Sequence, residues 1–165
     1  MTIKRDLVKF MYFCRYLGII PSIASISDRI ILQKIFYFLK KFGIPLPYTF
    51  NFYKYGPHSS YLTDVYNQLD NYSEFIRDNN YTIKNNEQDY LKLAKEFLEP
   101  IKNNADKLEY YASVLFVYSD MFFFESLEDI GPARENKIKD LKFELFERFG
   151  LEEPLLVLRN FNLIS

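Results

Sequence analysis

Leu7, Phe10, Met11, Cys14 and Leu17 recur at steps of three and four, the spacing that lays apolar side chains along one stripe of a helix. This predicts a first helix over residues 2–17, with Gly18 where a C-cap falls. After a connector containing Pro21, Ser25 and Asp28 stand three apart as in a loose capping box, with Ser27 a competing N-cap. A second helix follows to about Phe42, and Ile31, Leu32, Ile35, Phe36, Phe38 and Leu39 wrap far enough round it to predict burial on more than one side. Gly43 ends it, and Pro45 and Pro47 prevent a restart.

The period changes at residue 48. Tyr48, Phe50, Phe52 and Tyr53 are strand formers without helical spacing, so residues 48–55 read as a short strand. Gly56-Pro57 reads as a turn, and Ser59 or Ser60 as the cap of a third helix carrying Leu62, Val65, Tyr66 and Leu69. The polar stretch 72–86 holds Tyr81, Thr82 and Ile83, expected as a second short strand pairing with the first. Helices are expected over 87–99, 106–127, 133–149 and 153–159, separated by Pro100, by Gly131-Pro132, and by Gly150 with Pro154. The expected fold is mostly α with a small two-stranded β element, forming a single domain over residues 1–165.

Composition sharpens this picture at a few points. Aromatics are 19% of the chain, from 17 Phe and 14 Tyr without Trp, which predicts a ring-rich interior rather than disorder. Apolar runs fall short of the roughly 18 to 20 residues that span a bilayer. Asp6, Lys9 and Arg15 interrupt any signal-like segment. A cytoplasmic protein with no membrane association is expected. Cys14, the sole cysteine, cannot close an internal disulfide and reads as a buried core thiol. With His58 it makes a soft ligand set too small for structural zinc.

The net charge is only −1, but residues 1–60 carry 9 Lys or Arg against 2 Asp, and residues 61–165 carry 12 against 20 Asp or Glu. Two explanations stand open: an electrostatic footprint for an acidic partner, or two faces that meet inside one domain.

Leu32-Gln33-Lys34 within the helix of residues 30–39, then the aromatic segment 50–55 and Tyr55-Gly56-Pro57-His58-Ser59, resemble the YwgA-type family of bacterial and archaeal proteins. A related pattern, a Leu-Gln-Lys helix followed by an aromatic strand and a Tyr-Gly-Pro turn, occurs in the Panacea (SocA-like) antitoxin domains. The similarity is clearest over residues 28–70. It implies a non-catalytic helical module acting through protein contacts, neutralising a toxin or serving as a proteolytic adaptor.

The same residues have a chemistry of their own. In the segment 55–61, Gly56 permits a tight bend, Pro57 stiffens it, and the next helix offers unpaired N–H groups beside Ser59 and Ser60. Lys54 and His58 would favour an anion there; the competing reading is a plain turn followed by a serine cap. Gln33 and Lys34 stand in an otherwise apolar helix, and either reach toward the turn and hold it or face solvent, the commoner fate. Arg29, Lys40 and Lys41, with Tyr37, Tyr53, Tyr55 and Tyr61, form a basic and aromatic set of the kind that stacks bases and contacts phosphates.

Enzyme chemistry has little support. There is no glycine-rich phosphate loop, no Walker-type lysine, no His-Glu-x-x-His pair and no Ser-His-Asp context. His58 and Asp64 with Lys54 are the weak basis for a metal-dependent hydrolase. Asp120, Glu125, Glu128 and Asp129 could hold a metal or simply form a solvated helix end.

Arg29, Gln33, Lys34, Lys54, Tyr55, Gly56, Pro57, His58, Ser59 and Tyr61 are therefore candidate partner-binding residues; no catalytic residue, metal ligand or cofactor is assigned. The leading expectation is a non-enzymatic, antitoxin-like or adaptor-like module that binds a protein partner through residues 54–61 and the adjacent basic helix. A nucleic-acid-binding regulator with winged-helix-like features comes second, and the hydrolase third.

Overall fold

A computed structural model describes residues 2–121 and 127–165 of the chain. The order is α1 (Thr2–Leu17), α2 (Ile26–Lys41), β1 (Asn51–Tyr53), β2 (Gly56–His58), α3 (Ser60–Asn67), α4 (Ser73–Asp78), α5 (Asn85–Leu98), α6 (Ala105–Asp120), α7 (Leu127–Leu141), α8 (Phe143–Phe149) and α9 (Glu152–Asn160). The fold is mostly α with one two-stranded antiparallel sheet. No helix among the described residues is long and apolar enough to cross a membrane.

Helix α2 is the centre of the structure. Leu32 through Leu39 are all buried, eight consecutive positions, which requires neighbours on every side of the helix. Helix α1 meets it through the Phe10 and Phe36 rings, stacked at 4.7 Å. Helix α5 meets it through Phe38 and Phe97, also 4.7 Å apart, and α6 packs along its length. The helix begins as its sequence suggests, with the Ser25 hydroxyl accepting from the Asp28 N–H at 3.1 Å. The Asp28 carboxylate also accepts from the Ser22 hydroxyl at 2.8 Å.

The sheet differs from the expectation. Residues 81–83 form no strand; the Tyr81 ring packs against Tyr12 and Phe13, and its hydroxyl donates to Glu87 at 2.9 Å. Strand β1 instead pairs with the residues expected to turn, in the register Asn51↔His58, Phe52↔Pro57, Tyr53↔Gly56. The reversal falls on Lys54 and Tyr55. Gly56 makes this possible by taking φ +87, a left-handed conformation that side-chain-bearing residues resist. The hairpin lies over α2 and α6, with β2 against both helices.

Two helix boundaries also move. The backbone stays helical through Gly131-Pro132, with Pro132 inside α7 and the hydrogen bond its missing N–H would make to residue 128 forgone. The helix expected over 133–149 breaks at Lys142, where α7 ends and α8 begins. Lys142 is drawn inward, 8% exposed, to make the contacts described below. Helix α4 arises inside the polar stretch that had suggested only loop and strand, held by buried Ile76. Of the helix expected over 106–127, α6 accounts for the part up to Asp120, and residues 122–126 lie outside the described residues.

Candidate functional site

Gln33 and Lys34 do not face solvent. They are 2% and 1% exposed, and both reach from α2 to the hairpin and the start of α3. The Gln33 Oε1 accepts from the Ser59 N–H at 2.9 Å, while Nε2 donates to the Ser59 carbonyl and the Thr63 hydroxyl, each at 3.0 Å. One side-chain amide thus satisfies both backbone groups of Ser59, whose own hydroxyl caps α3 by accepting from the Leu62 N–H.

Beside it the Lys34 Nζ donates to the Pro57 carbonyl at 2.7 Å. Lys142 holds the other side of the hairpin, its Nζ donating at 2.7 Å to the Lys54 carbonyl and at 2.7 Å to the buried carboxylate of Glu109 on α6. The Ser113 hydroxyl, tied to the Glu109 carbonyl at 2.7 Å, lies against Gly56 so closely that a Cβ there would stand 2.6 Å from it. Close approach as well as the positive φ therefore selects glycine at position 56.

Two lysines and one glutamate under the hairpin set the local electrostatics. Burial, reinforced by the charge of Lys142 and opposed by Glu109, brings the Lys34 ammonium down to about 7. His58 is also lowered, first by burial and then by Lys34, which favours the neutral ring at neutral pH.

Above this support lies a cleft of about 430 Å³. Helix α2 contributes Ile26, Arg29, Ile30, Gln33 and Lys34; the hairpin contributes Tyr53, Lys54, Tyr55 and His58; α3 contributes Ser60, Thr63 and Tyr66. Ile26 and Tyr53 remain 52% and 53% exposed, large apolar surfaces left uncovered. The Tyr53 ring meets His58 edge-on at 5.5 Å. The Arg29 Nη1 donates to the Ile23 carbonyl at 2.7 Å, and Lys54 lies 5.4 Å from the centre of the Tyr55 ring. Among the described residues, no Asp or Glu lines the cleft.

Of the ten candidate residues, Arg29, Gln33, Lys34, Lys54, Tyr55 and His58 come together on the cleft. Gly56, Pro57 and Ser59 are buried behind it as its framework. Tyr61 turns away: its hydroxyl donates to Asp6 on α1, and its ring packs 5.9 Å from Tyr48. The wider basic and aromatic set does not form one surface either. Tyr37 is buried and donates to Asp120, Lys41 pairs with Asp120 at 2.5 Å, and Lys40 donates to the Tyr48 carbonyl. The Lys41–Asp120 pair joins the basic half of the sequence to the acidic half, so part of the charge split is compensated internally.

Sequence reasoning did not select Ile26, Ile30, Tyr53, Ser60, Thr63 or Tyr66 as partner-binding residues, nor the supporting pair Glu109 and Lys142. A signal existed for Glu109, a lone carboxylate in the apolar run of residues 108–118. Lys142 between Leu141 and Phe143 gave a weaker one.

The hydrolase expectation rested on His58, Asp64 and Lys54. Asp64 is exposed, and the His58 Nε2 has the Thr63 hydroxyl at 3.3 Å as its partner. No group of three or more His, Cys, Asp or Glu side chains among the described residues could hold a metal ion. In the carboxylate series, Asp120 is ion-paired, while Glu125 and the side chains of Glu128 and Asp129 lie outside the described residues. Cys14 is 1% exposed, and burial pushes its thiol far up, away from the reactive thiolate. No family model matches the chain, and neither does any curated protein or solved structure.

Proposed function

We propose that this chain is a non-enzymatic interaction module, adaptor-like or antitoxin-like, that grips a protein partner in the cleft between α2, the hairpin and α3. The observation that carries the reading is an exposed apolar surface, Ile26 and Tyr53, on a wall fastened by buried polar bonds from Gln33, Lys34 and Lys142. Uncovered apolar side chains on a pre-formed concave surface favour contact with another macromolecule. The resemblance of residues 28–70 to YwgA-type and Panacea domains points the same way.

A cleft without carboxylates among the described residues also suits an anionic nucleic acid, the second reading. Charge counting disfavours it. Lys34 is buried under the hairpin and His58 is shifted toward its neutral form, which leaves Arg29 and Lys54 as the cations at the cleft mouth. Duplex binding draws on many phosphate contacts.

Affinity capture of the tagged chain from its host, with and without nuclease, tests the two readings. A stoichiometric protein partner that survives nuclease and is lost on Tyr53→Asp is expected. Nuclease-sensitive recovery of DNA or RNA, also lost on Tyr53→Asp, would overturn the adaptor reading. Tyr53 suits the test because it is half exposed on a short strand, whereas a bulky residue at position 56 would collide with Ser113.

A further inference from the structure

We infer that the occupant of the cleft is an acidic segment of a partner protein, its carboxylate received by Lys54 and Arg29 and a neighbouring apolar side chain laid on Ile26, Ile30 and Tyr53. The inference rests on the interaction-module reading and gives the partner its chemistry.

Charge complementarity is the first argument. The basic side chains come from two elements, Arg29 from α2 and Lys54 from the hairpin, and among the described residues no Asp or Glu lines the cleft to neutralise them. Other cations do find internal partners, Lys41 in Asp120 and Lys142 in Glu109. Among the described residues the Lys54 ammonium meets the face of its neighbour Tyr55, and Arg29 spends one nitrogen on the Ile23 carbonyl. Both retain donors for a carboxylate, and the planar guanidinium suits a two-pronged contact.

Shape and polarity are the second argument. A free inorganic anion would meet the cations and leave Ile26, Ile30 and Tyr53 wet. A chain bearing both a carboxylate and an apolar side chain covers both parts. The volume of about 430 Å³ is that of a pocket for a small number of side chains rather than a track for a polymer backbone. Because Gln33, Lys34 and Lys142 already hold the walls, docking orders the partner's segment and little of this chain.

The test is panning of random phage-displayed decapeptides on the immobilised full chain, in parallel with Tyr53→Asp and Lys54→Glu. Peptides enriched on the wild type should be acidic, with Asp or Glu beside Leu, Ile, Phe or Tyr, and should be lost on Tyr53→Asp. By fluorescence anisotropy, the most enriched peptide should bind Arg29→Glu/Lys54→Glu about tenfold more weakly, because two exposed charge contacts turn from attractive to repulsive. Replacing its acidic residues by Lys should recover binding to that double variant. Lys54→Glu alone gives the same direction without disturbing the Arg29 contact to Ile23.

Enriched peptides without acidic residues that still depend on Tyr53 would overturn the acidic occupant and leave the interaction module standing. If no peptide depends on Tyr53, both fall; binding of a labelled single-stranded oligonucleotide at the same residues would then give the cleft to nucleic acid.

Discussion

Lys34 offers the sharpest quantitative check on the electrostatics under the hairpin. Its ammonium is brought from the usual lysine value to about 7 in the folded chain, and the unfolded chain restores the ordinary value of about 10.4. Between these two, the unfolded state binds a proton that the folded state does not, so this group makes stability rise with pH. Below the folded value both states are protonated, and above the unfolded value neither is. The slope inside the window approaches about 1.4 kcal/mol per pH unit. From about pH 7.5 to pH 9.5 the Lys34 contribution should therefore grow by about 2 kcal/mol.

Lys34→Met removes that contribution, and subtracting the variant's stability from the wild type's cancels other groups that shift in the same direction, such as partly buried Lys9. The upper limit of the window matters because burial raises Tyr48 and Tyr110, and their linkage reduces stability above about pH 10. Urea denaturation at closely spaced pH values, read by circular dichroism, gives the difference curve. A rise of about 2 kcal/mol is expected, and a flat difference would refute the account of a buried, largely uncompensated ammonium. The hairpin should stay in place throughout, because a neutral amine can still donate to the Pro57 carbonyl.

Three further outcomes follow from the same geometry. Gln33→Leu leaves the buried Ser59 N–H without its acceptor and should cost about 2 kcal/mol in urea titration, with faster hydrogen exchange at the Ser59 amide than at the core of α6. Gly56→Ala combines a left-handed φ with a Cβ 2.6 Å from the Ser113 hydroxyl and should cost about 3 kcal/mol; Ser113→Ala in the same chain should recover the steric share in a double-mutant cycle. Cys14, buried with its thiol shifted upward, should resist an aromatic disulfide reagent in the native protein and react at once in urea; rapid native reaction would contradict its place in the core.

The first three helices were legible because local signals agreed with tertiary need. The stripe from Leu7 to Leu17, the Ser25 cap and the Gly43 stop each carry their reason within a few residues. The hairpin was not, because Gly56-Pro57 carries turn chemistry that here is spent differently. Gly56 lets the chain slip past Ser113, and Pro57, with no N–H to donate, offers its carbonyl to Lys34. The break at Lys142 could not be read from propensity, since no Gly or Pro marks it and the force that makes it comes from Glu109, 33 residues away.

The candidate site divided along the same line. Gln33, Lys34 and the residues of the turn stood out as polar side chains among apolar ones or as backbone specialists. Ile26, Ile30, Thr63 and Tyr66 looked like ordinary helix residues, and only the approach of α2, α3 and the hairpin makes them a surface.

The double grip on the hairpin, Lys34 from one helix and Lys142 from the junction of two others, has a consequence for evolution of the cleft. A wall bolted from behind tolerates changes on its front: Tyr53, Lys54 and Tyr55 can be exchanged without loosening the backbone, because the bonds that fix Lys54 and Pro57 use their carbonyls and not their side chains. Recognition and architecture are thereby written in different atoms of the same residues, and a new specificity can be drawn on the hairpin while its scaffold stays as it is.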